Sequence, residues 1–438
     1  MAKQTSAEFR ALVADAMTHF QGGRFAEAET AYRAALATVP ADPAVSHNLG
    51  VAVAAQGRHQ EAIGCFEQAL RADPGYVSAH YNRAVALMTL GETRDAIKAF
   101  SRAATLEPQH YQAHRALGFL WLSQGERGRA LDHFARTYEL RRGDDRTTIA
   151  LKSLTTTTGH KLRHDAEQFL YLSQRARDRL RFELLARTYL EVAKQVPDEI
   201  VTLSDAQIEA LGEDYNTPIR LHAAPEVAGR AVNERHDRAA LTTQFAEQGA
   251  IPVDNLLTPQ TLDSLRRFLL ESTIWHDFSH IDGFVASYLE DGLACPLLLQ
   301  IADELRHAFP DILGAHPLSQ AWAFKGLQAQ AAVDVHADDA SVSVNFWATP
   351  TEASLDPEHG GLVVCRASPP DDWEIRDYDQ DRERIVTFLE QKAADSLLVP
   401  YRQNRAVLFR SRLFHHSDRP KFMSSYENHR INLTFLYG

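Results

Sequence analysis

Across the first third of the chain, apolar residues fall at helical spacing and the whole pattern returns every 34 residues. Gly23, Gly57, Gly91 and Gly125 keep that period, as do Ala28, Ala62, Ala96 and Ala130, the aromatic set Tyr32, Phe66, Phe100 and Phe134, and Pro40, Pro74 and Pro108. One period predicts a pair of helices with a glycine turn between them and a proline after the second. From residue 143 the period is lost while helical spacing persists in Asp165–Leu172 and Arg181–Val192, which predicts capping helices. Turn-forming residues from Asn216 through Pro225 mark a junction. Beyond it the pattern changes from helical to short and alternating. Residues 249–259 read as a strand entering a helix, with Thr258 as N-cap and Pro259 as the first helical residue. Runs rich in β-branched and aromatic residues follow at Val342–Trp347, Gly361–Arg366, Ser396–Pro400, Arg405–Phe409 and Ile431–Tyr437. The acidic segment Asp371–Glu390, carrying Trp373 and Tyr378, is too polar for a core strand and fits either a mobile lid or a surface helix and loop.

Each mark of the repeat has a physical role. Glycine permits the tight turn, alanine lets the two helices approach, the aromatic fills their seam, and proline stops the second helix. Leu49-Gly50 and Leu117-Gly118 add a first-helix signature in two of the units. The pattern resembles a tetratricopeptide repeat array, which stacks helix pairs into a superhelix with a concave face suited to extended peptides or partner domains. His47, Tyr81 and Arg115 stand at the first-helix position that usually lines that groove, with Asn48 and Asn82 beside two of them. The lysine and asparagine set of a carboxylate clamp is incomplete. A protein or peptide partner, an internal contact and a plain solvated face all remain open, and a second copy of the chain is a further candidate.

Composition narrows the class. With 438 residues, two or three domains are expected, and 45% apolar with 24% charged residues is the balance of a soluble globular chain. A net charge of -12 with no basic run speaks against a nucleic-acid surface. No signal peptide and no apolar run of spanning length are evident, so a cytoplasmic, non-membrane protein is expected. Cys65, Cys295 and Cys365 are odd in number and far apart, which predicts reduced thiols.

The chemistry-bearing residues cluster towards the C-terminus: His336-Ala337-Asp338, then His415 and His416, then Arg430 fifteen residues after His415. Two imidazoles and one carboxylate can occupy one face of an octahedral ferrous ion and leave the opposite positions open. An arginine returning on a neighbouring strand can pair with a dicarboxylic acid. Alternation along the last strand puts Arg430, Asn432 and Thr434 on one face and Ile431, Leu433 and Phe435 on the other. Asn345 is a candidate for the same polar face or for a structural hydrogen bond. Competitors exist: His280-Ile281-Asp282 is a second such triplet, and His359, His416, Arg410, Arg412 and Arg419 lie close to the proposed ligands.

Four stretches carry a family resemblance. Val335-His336-Ala337-Asp338 leads into Val344-Asn345-Phe346-Trp347-Ala348-Thr349-Pro350, and Leu355-Asp356-Pro357 precedes Gly360-Gly361-Leu362-Val363-Val364. Val399-Pro400-Tyr401-Arg402 and Tyr426-Glu427-Asn428-His429-Arg430-Ile431-Asn432 complete the set. Together they resemble the iron(II)- and 2-oxoglutarate-dependent dioxygenases, especially a bacterial 2-oxoglutarate oxygenase group, densely over the last hundred residues or so. The resemblance selects His415 over its neighbours. It implies His336, Asp338 and His415 as catalytic metal ligands for Fe(II), with Arg430, Asn345 and Asn432 binding 2-oxoglutarate beside O2. The expectation is therefore a multidomain α+β chain: an all-α repeat solenoid over 1–142, a helical capping region over 143–235, and a double-stranded β-helix (jelly-roll) oxygenase domain over 236–438. Hydroxylation is the default outcome; Asp338 disfavours halogenation because it fills the position a halide would need, while desaturation and demethylation stay open. The repeats favour a protein or peptide substrate. The alternatives are a small metabolite with the repeats as an interaction or dimerisation module, and a non-catalytic repeat scaffold.

Overall fold

A computed structural model describes residues 2–142, 154–279, 283–327, 332–379 and 381–438. The chain divides into two compact units, one ending at Trp121 and the other beginning at Leu122.

The first unit is a stack of helix pairs: α1 (Ala2–Gln21) with α2 (Phe25–Thr38), α3 (Pro43–Ala54) with α4 (His59–Ala72), and α5 (Val77–Thr89) with α6 (Thr93–Leu106), followed by α7 (Tyr111–Ser123). The periodic residues do what their chemistry predicts. Gly57 and Gly91 turn the chain at φ 78° and 76°, which a β-carbon would strain. Ala28, Ala62 and Ala96 are fully buried, and Tyr32, Phe66 and Phe100 are buried beside them. A β-carbon on Gly50 would lie 2.5 Å from the Phe66 ring, so the first-helix glycine is what admits the aromatic. His47, expected on the concave face, is instead buried in the stack. Asn82 Nδ2 donates to its Nε2 at 2.7 Å, and its ring packs on Phe66 and Tyr76. Tyr81 and Arg115 are half-buried, Tyr81 stacked on His110 at 4.7 Å.

The second unit opens with α8 (Arg127–Arg142), which carries the fourth set of repeat marks, Ala130 and Phe134, both buried. This helix is tied into the second unit by charge and aromatic contacts. Arg127 pairs with Glu226 and Asp303, Arg142 pairs with Asp291, and the Tyr138 hydroxyl meets His276 Nε2 at 3.1 Å. The capping helices Gly159–Ser173 and Arg179–Ala193 follow β1 (Thr156–Thr157) and pack through Leu162, Phe169, Phe182 and Tyr189. β2 (Val201–Thr202) pairs antiparallel with β1. The helix Pro259–Glu271 begins as its residues dictate, with Pro259 in the first turn and the Thr258 side chain accepting from Thr261 N.

Two antiparallel sheets, with helices such as Pro296–Ala308 beside them in the chain, make up the remainder. The larger has the order β3-β9-β6-β11-β5-β4, built from β3 (Ala250–Val253), β4 (Phe284–Tyr288), β5 (Leu318–Gly326), β6 (Val342–Trp347), β9 (Ala406–Arg410) and β11 (Ile431–Tyr437). The smaller has the order β10-β7-β8, from β7 (Leu362–Cys365), β8 (Ser396–Val399) and β10 (His415–Ser417). Trp347, Val407 and Phe409 of the larger sheet share one core with Leu362, Val364 and Val399 of the smaller. All seven residues of β11 are buried, as its central position between β6 and β5 requires. β4, β5 and β10 were not among the predicted strands. Within the segment Asp371–Glu390, helices Ile375–Asp379 and Arg382–Lys392 bury Tyr378 and Ile385 in one cluster with Ala337 and Phe414. Among the described residues, no helix is long and apolar enough to cross a membrane.

Candidate metal centre

The backbone brings the two histidines face to face. His336 and His415 form an antiparallel bridge, each accepting from the other's amide, at 3.1 and 2.8 Å. That pairing adds residue 336 to the smaller sheet beside β10 and puts the two imidazole rings 4.3 Å apart. Asp338, two residues further, projects to the same side. His336 Nε2 lies 3.7 Å from Asp338 Oδ1, and His415 Nε2 lies 3.6 Å from Asp338 Oδ2. His336, Asp338 and His415 are the one group of three or more such side chains among the described residues whose donor atoms lie within 4.8 Å of one another.

The partners behind these side chains orient them. Nδ1 of His336 faces the Asp334 carbonyl at 2.8 Å and Nδ1 of His415 faces the Leu413 carbonyl at 3.0 Å. Donation to those carbonyls leaves both Nε2 lone pairs directed at the carboxylate. The Ser343 hydroxyl donates to Asp338 Oδ2 at 2.7 Å, and its oxygen lies 2.9 Å from the Ser411 hydroxyl. Burial, with His336 beside it, pushes the His415 imidazole down to about 4, so it is neutral and able to ligate at pH 7. Two imidazole nitrogens and a carboxylate converging with no lysine or arginine between them fit a small divalent cation.

Next to this cluster lies a buried cation with no ion pair among the described residues. Arg430 is 5% exposed, and its Nε has no hydrogen-bond partner. Its one described bond runs from a terminal nitrogen to the Gly361 carbonyl at 3.3 Å. Burial pushes it down to about 10. A desolvated guanidinium without a carboxylate is costly, and an anionic ligand removes that cost. Asn345 and Asn432 line the same inner pocket with Arg430, Thr434, His336 and His415. Among the described residues, neither Asn345 Oδ1 nor Asn432 Oδ1 has a hydrogen-bond partner. The structure thus brings together all six residues singled out from the sequence. Register accounts for it, because Thr434 lies opposite Asn345 and Asn432 opposite Trp347 on the β11 and β6 pair.

The competitors separate. His359 is held by Asp418 at 2.8 Å. His416 lines the inner pocket while its Nδ1 turns to the Ser417 carbonyl. His280 and Asp282 lie outside the described residues. Sequence reasoning missed Ser343 and Ser411 behind the carboxylate, and it missed the aromatic wall of Phe284, Tyr288, Trp322 and Phe324 that lines an outer cavity with His336 and Asp338. The alternation of Gln320, Trp322 and Phe324 was the available signal for that wall.

Comparison with known proteins bears on the N-terminal region. Residues 13–77 and 53–117 match family models described as tetratricopeptide repeat, and with the helix pairs this makes the N-terminal region a tetratricopeptide repeat solenoid. No curated protein matches the chain. Similar solved structures include the first TPR of Spaghetti (RPAP3) bound to an HSP90 peptide, 22% identical over 27% of this chain and 95% of that one, with a TM-score of 0.27. A crystal structure of MamA is 21% identical over 41% of this chain and 92% of that one, with a TM-score of 0.28. An O-GlcNAc transferase mutant from Thermobaculum terrenum is 26% identical over 32% of this chain and 28% of that one, with a TM-score of 0.29.

Proposed function

We propose that the C-terminal unit is an iron(II)- and 2-oxoglutarate-dependent dioxygenase that hydroxylates a C–H bond of a polypeptide, with the repeats recruiting that polypeptide or a partner. The observation that carries this reading is the convergence of His336, Asp338 and His415 beside a buried Arg430 that has no ion pair among the described residues. Strand order supports it. The order β9-β6-β11-β5 against β8-β7-β10, with residue 336 bridged to β10, is the order a double-stranded β-helix calls for, and such barrels hold ligands at an open end.

The side chains then divide the work. His336 and His415 present Nε2, and Asp338, steadied by Ser343, completes the ligand set. Arg430 takes the distal carboxylate of 2-oxoglutarate as a charge-assisted pair. Asn345 and Asn432 offer polar atoms along the same pocket. Bound ferrous iron and 2-oxoglutarate would supply the oxidising chemistry, consuming dioxygen and releasing succinate and carbon dioxide. Burial of Arg430, Asn345 and Asn432 keeps bulk water from the inner pocket and strengthens each electrostatic contact there.

A polypeptide is favoured over a metabolite by the space outside the centre. A cavity of about 500 Å³ and another of about 630 Å³ share Val333, Asp334 and Val335 as a common wall. Room on both sides of this segment suits an extended substrate better than a compact one. Repeat arrays are suited to extended peptides, which agrees.

The test is anaerobic. Purified full-length protein is given ferrous iron and 2-oxoglutarate, and the weak visible charge-transfer band of the chelate is recorded for wild type, His336→Ala and Arg430→Ala. The band is expected in wild type, absent in His336→Ala, and present in Arg430→Ala only at far higher 2-oxoglutarate. No band from iron-loaded wild type would sink the oxygenase reading and leave a non-catalytic scaffold.

A further inference from the structure

The outer cavity has a chemical character of its own. β4 and β5 pair with Tyr288 opposite Trp322 and Ala286 opposite Phe324. Alternation therefore sets Phe284, Tyr288, Trp322 and Phe324 on one face of the larger sheet. It is the face of Asn432 and Thr434, which lie opposite Phe324 and Trp322. The Phe284 and Phe324 rings are 6.1 Å apart, as are those of Trp322 and Phe324. This aromatic wall lines the cavity of about 500 Å³ together with His336, Asp338 and two further carboxylates, Asp334 and Asp379. No lysine or arginine is among its described lining residues. Asp334 shares its charge with Arg382 at 3.3 Å. Asp379 has no ion pair among the described residues.

Ring faces combined with an unneutralised carboxylate complement a cation. An uncharged apolar substrate would need the rings alone, and an acidic one would meet repulsion. We propose, resting on the oxygenase reading above, that this cavity selects an alkyl chain ending in an ammonium or guanidinium group, the chemistry of a lysine or arginine side chain. The stem packs on Phe284 and Phe324, the head lies among the ring faces and Asp379, and the stem rather than the head is presented to the centre at His336 and Asp338.

The experiment is calorimetric titration of the full chain, held anaerobic with ferrous iron and 2-oxoglutarate. The paired probes are Nα-acetyl-lysine amide and its norleucine counterpart, which keeps the stem without the charge. The lysine probe is expected to bind about tenfold more tightly. Tyr288→Leu and Asp379→Asn are each expected to reduce that ratio by roughly threefold. Equal binding of the two probes overturns the proposal, and so does a ratio unchanged in both variants. Two more probes identify the source of the cation: tighter binding of a lysine-centred pentapeptide than of n-butylammonium supports a polypeptide side chain, and the reverse supports a free amine. The chelate band is read in the same samples. Charge discrimination without the band removes the oxygenase reading and keeps the cation pocket, whereas the band without discrimination does the opposite.

Discussion

The two units treat ionic groups in opposite ways. In the repeat array, the interior is alanine, larger aliphatic and aromatic side chains, and charge stays near solvent. Glu29 bonds Arg33 and Arg58, both about half-exposed, and although partial burial raises its carboxyl, bonds from Arg58, Gln56 and Arg33 bring it down to about 2. In the C-terminal unit, charged and titratable groups lie inside: Lys161 and Asp165 as a pair, Lys325 with its ammonium 3.1 Å from the Tyr426 ring centre and no hydrogen bond, and Arg430 with its Nε unpartnered. Burying such groups opposes folding. The array bears little of that cost because its task is a stable stacked surface. The C-terminal unit bears it where a ligand can return it, at Arg430 and the histidine and aspartate cluster. Lys325 lies on the opposite sheet face from Phe324.

This contrast can be broken by substitutions that strike one unit and spare the other. The largest effect is expected from His336→Ala, which should lower 2-oxoglutarate consumption to background while leaving the unfolding midpoint of the array unchanged; turnover at the wild-type rate would remove the site. Arg430→Ala should raise the 2-oxoglutarate concentration needed for half-maximal chelation roughly a hundredfold, since an internal charge-assisted pair contributes about 2 to 5 kcal/mol. The mirror experiment lies in the array. Phe66→Ala should destabilise it by about 3 to 5 kcal/mol in denaturant titration, with the chelate band intact. A Phe66→Ala protein that loses the band would show that the units do not fold independently.

The same contrast explains what was legible in the sequence. Four marks held over a fixed period identify the array because each repeat meets the same neighbours as the last. His47 is the exception: its groove position follows from register alone, yet Asn82 one repeat on captures its Nε2 and buries it. In the C-terminal unit, the strands Val342–Trp347 and Ile431–Tyr437 were readable to the residue. β5 was not, because Lys325 falls on its buried face beside Ala321 and Ala323, where a binary pattern demands an apolar residue. β10 is three residues long, below what alternation can resolve. The candidate ligands could be singled out because their residue types announce their chemistry. Ser343, Ser411 and the aromatic wall were not, since a serine or tyrosine acquires its role only from cross-strand register.

Acid should separate the units by a smaller amount. Burial, with Lys325 nearby, pushes the His429 imidazole down to about 4, whereas in the unfolded chain it titrates near its ordinary value of about 6.5. Between those values the unfolded state binds the extra proton. The stabilisation is therefore complete above pH ~6.5 and is lost as pH falls towards 4. At pH 5 one such histidine removes roughly 2 kcal/mol. His164, depressed to about 3 chiefly by burial, acts in the same direction. Urea unfolding at pH 7 and pH 5 measures the loss, and His429→Gln should reduce its pH dependence; an unchanged slope would mean His429 is solvated in the folded chain.

The smallest effect tests whether the buried polar groups near the centre are there for the ligand. Ser343 donates to Asp338 Oδ2 and contacts Ser411, so Ser343→Ala leaves the three ligands in place and removes only what steadies the carboxylate. Loss of such a supporting bond weakens metal binding by about tenfold or somewhat more. The prediction is a weaker ferrous or zinc affinity by that factor in direct titration, with the 2-oxoglutarate requirement unchanged once iron is saturating, because Arg430 does not contact Ser343. If metal affinity is unaffected while stability falls, then Ser343 and Ser411 belong with the packing of the sheets. The polar interior of this unit would then owe less to its ligand than the contrast with the repeat array suggests.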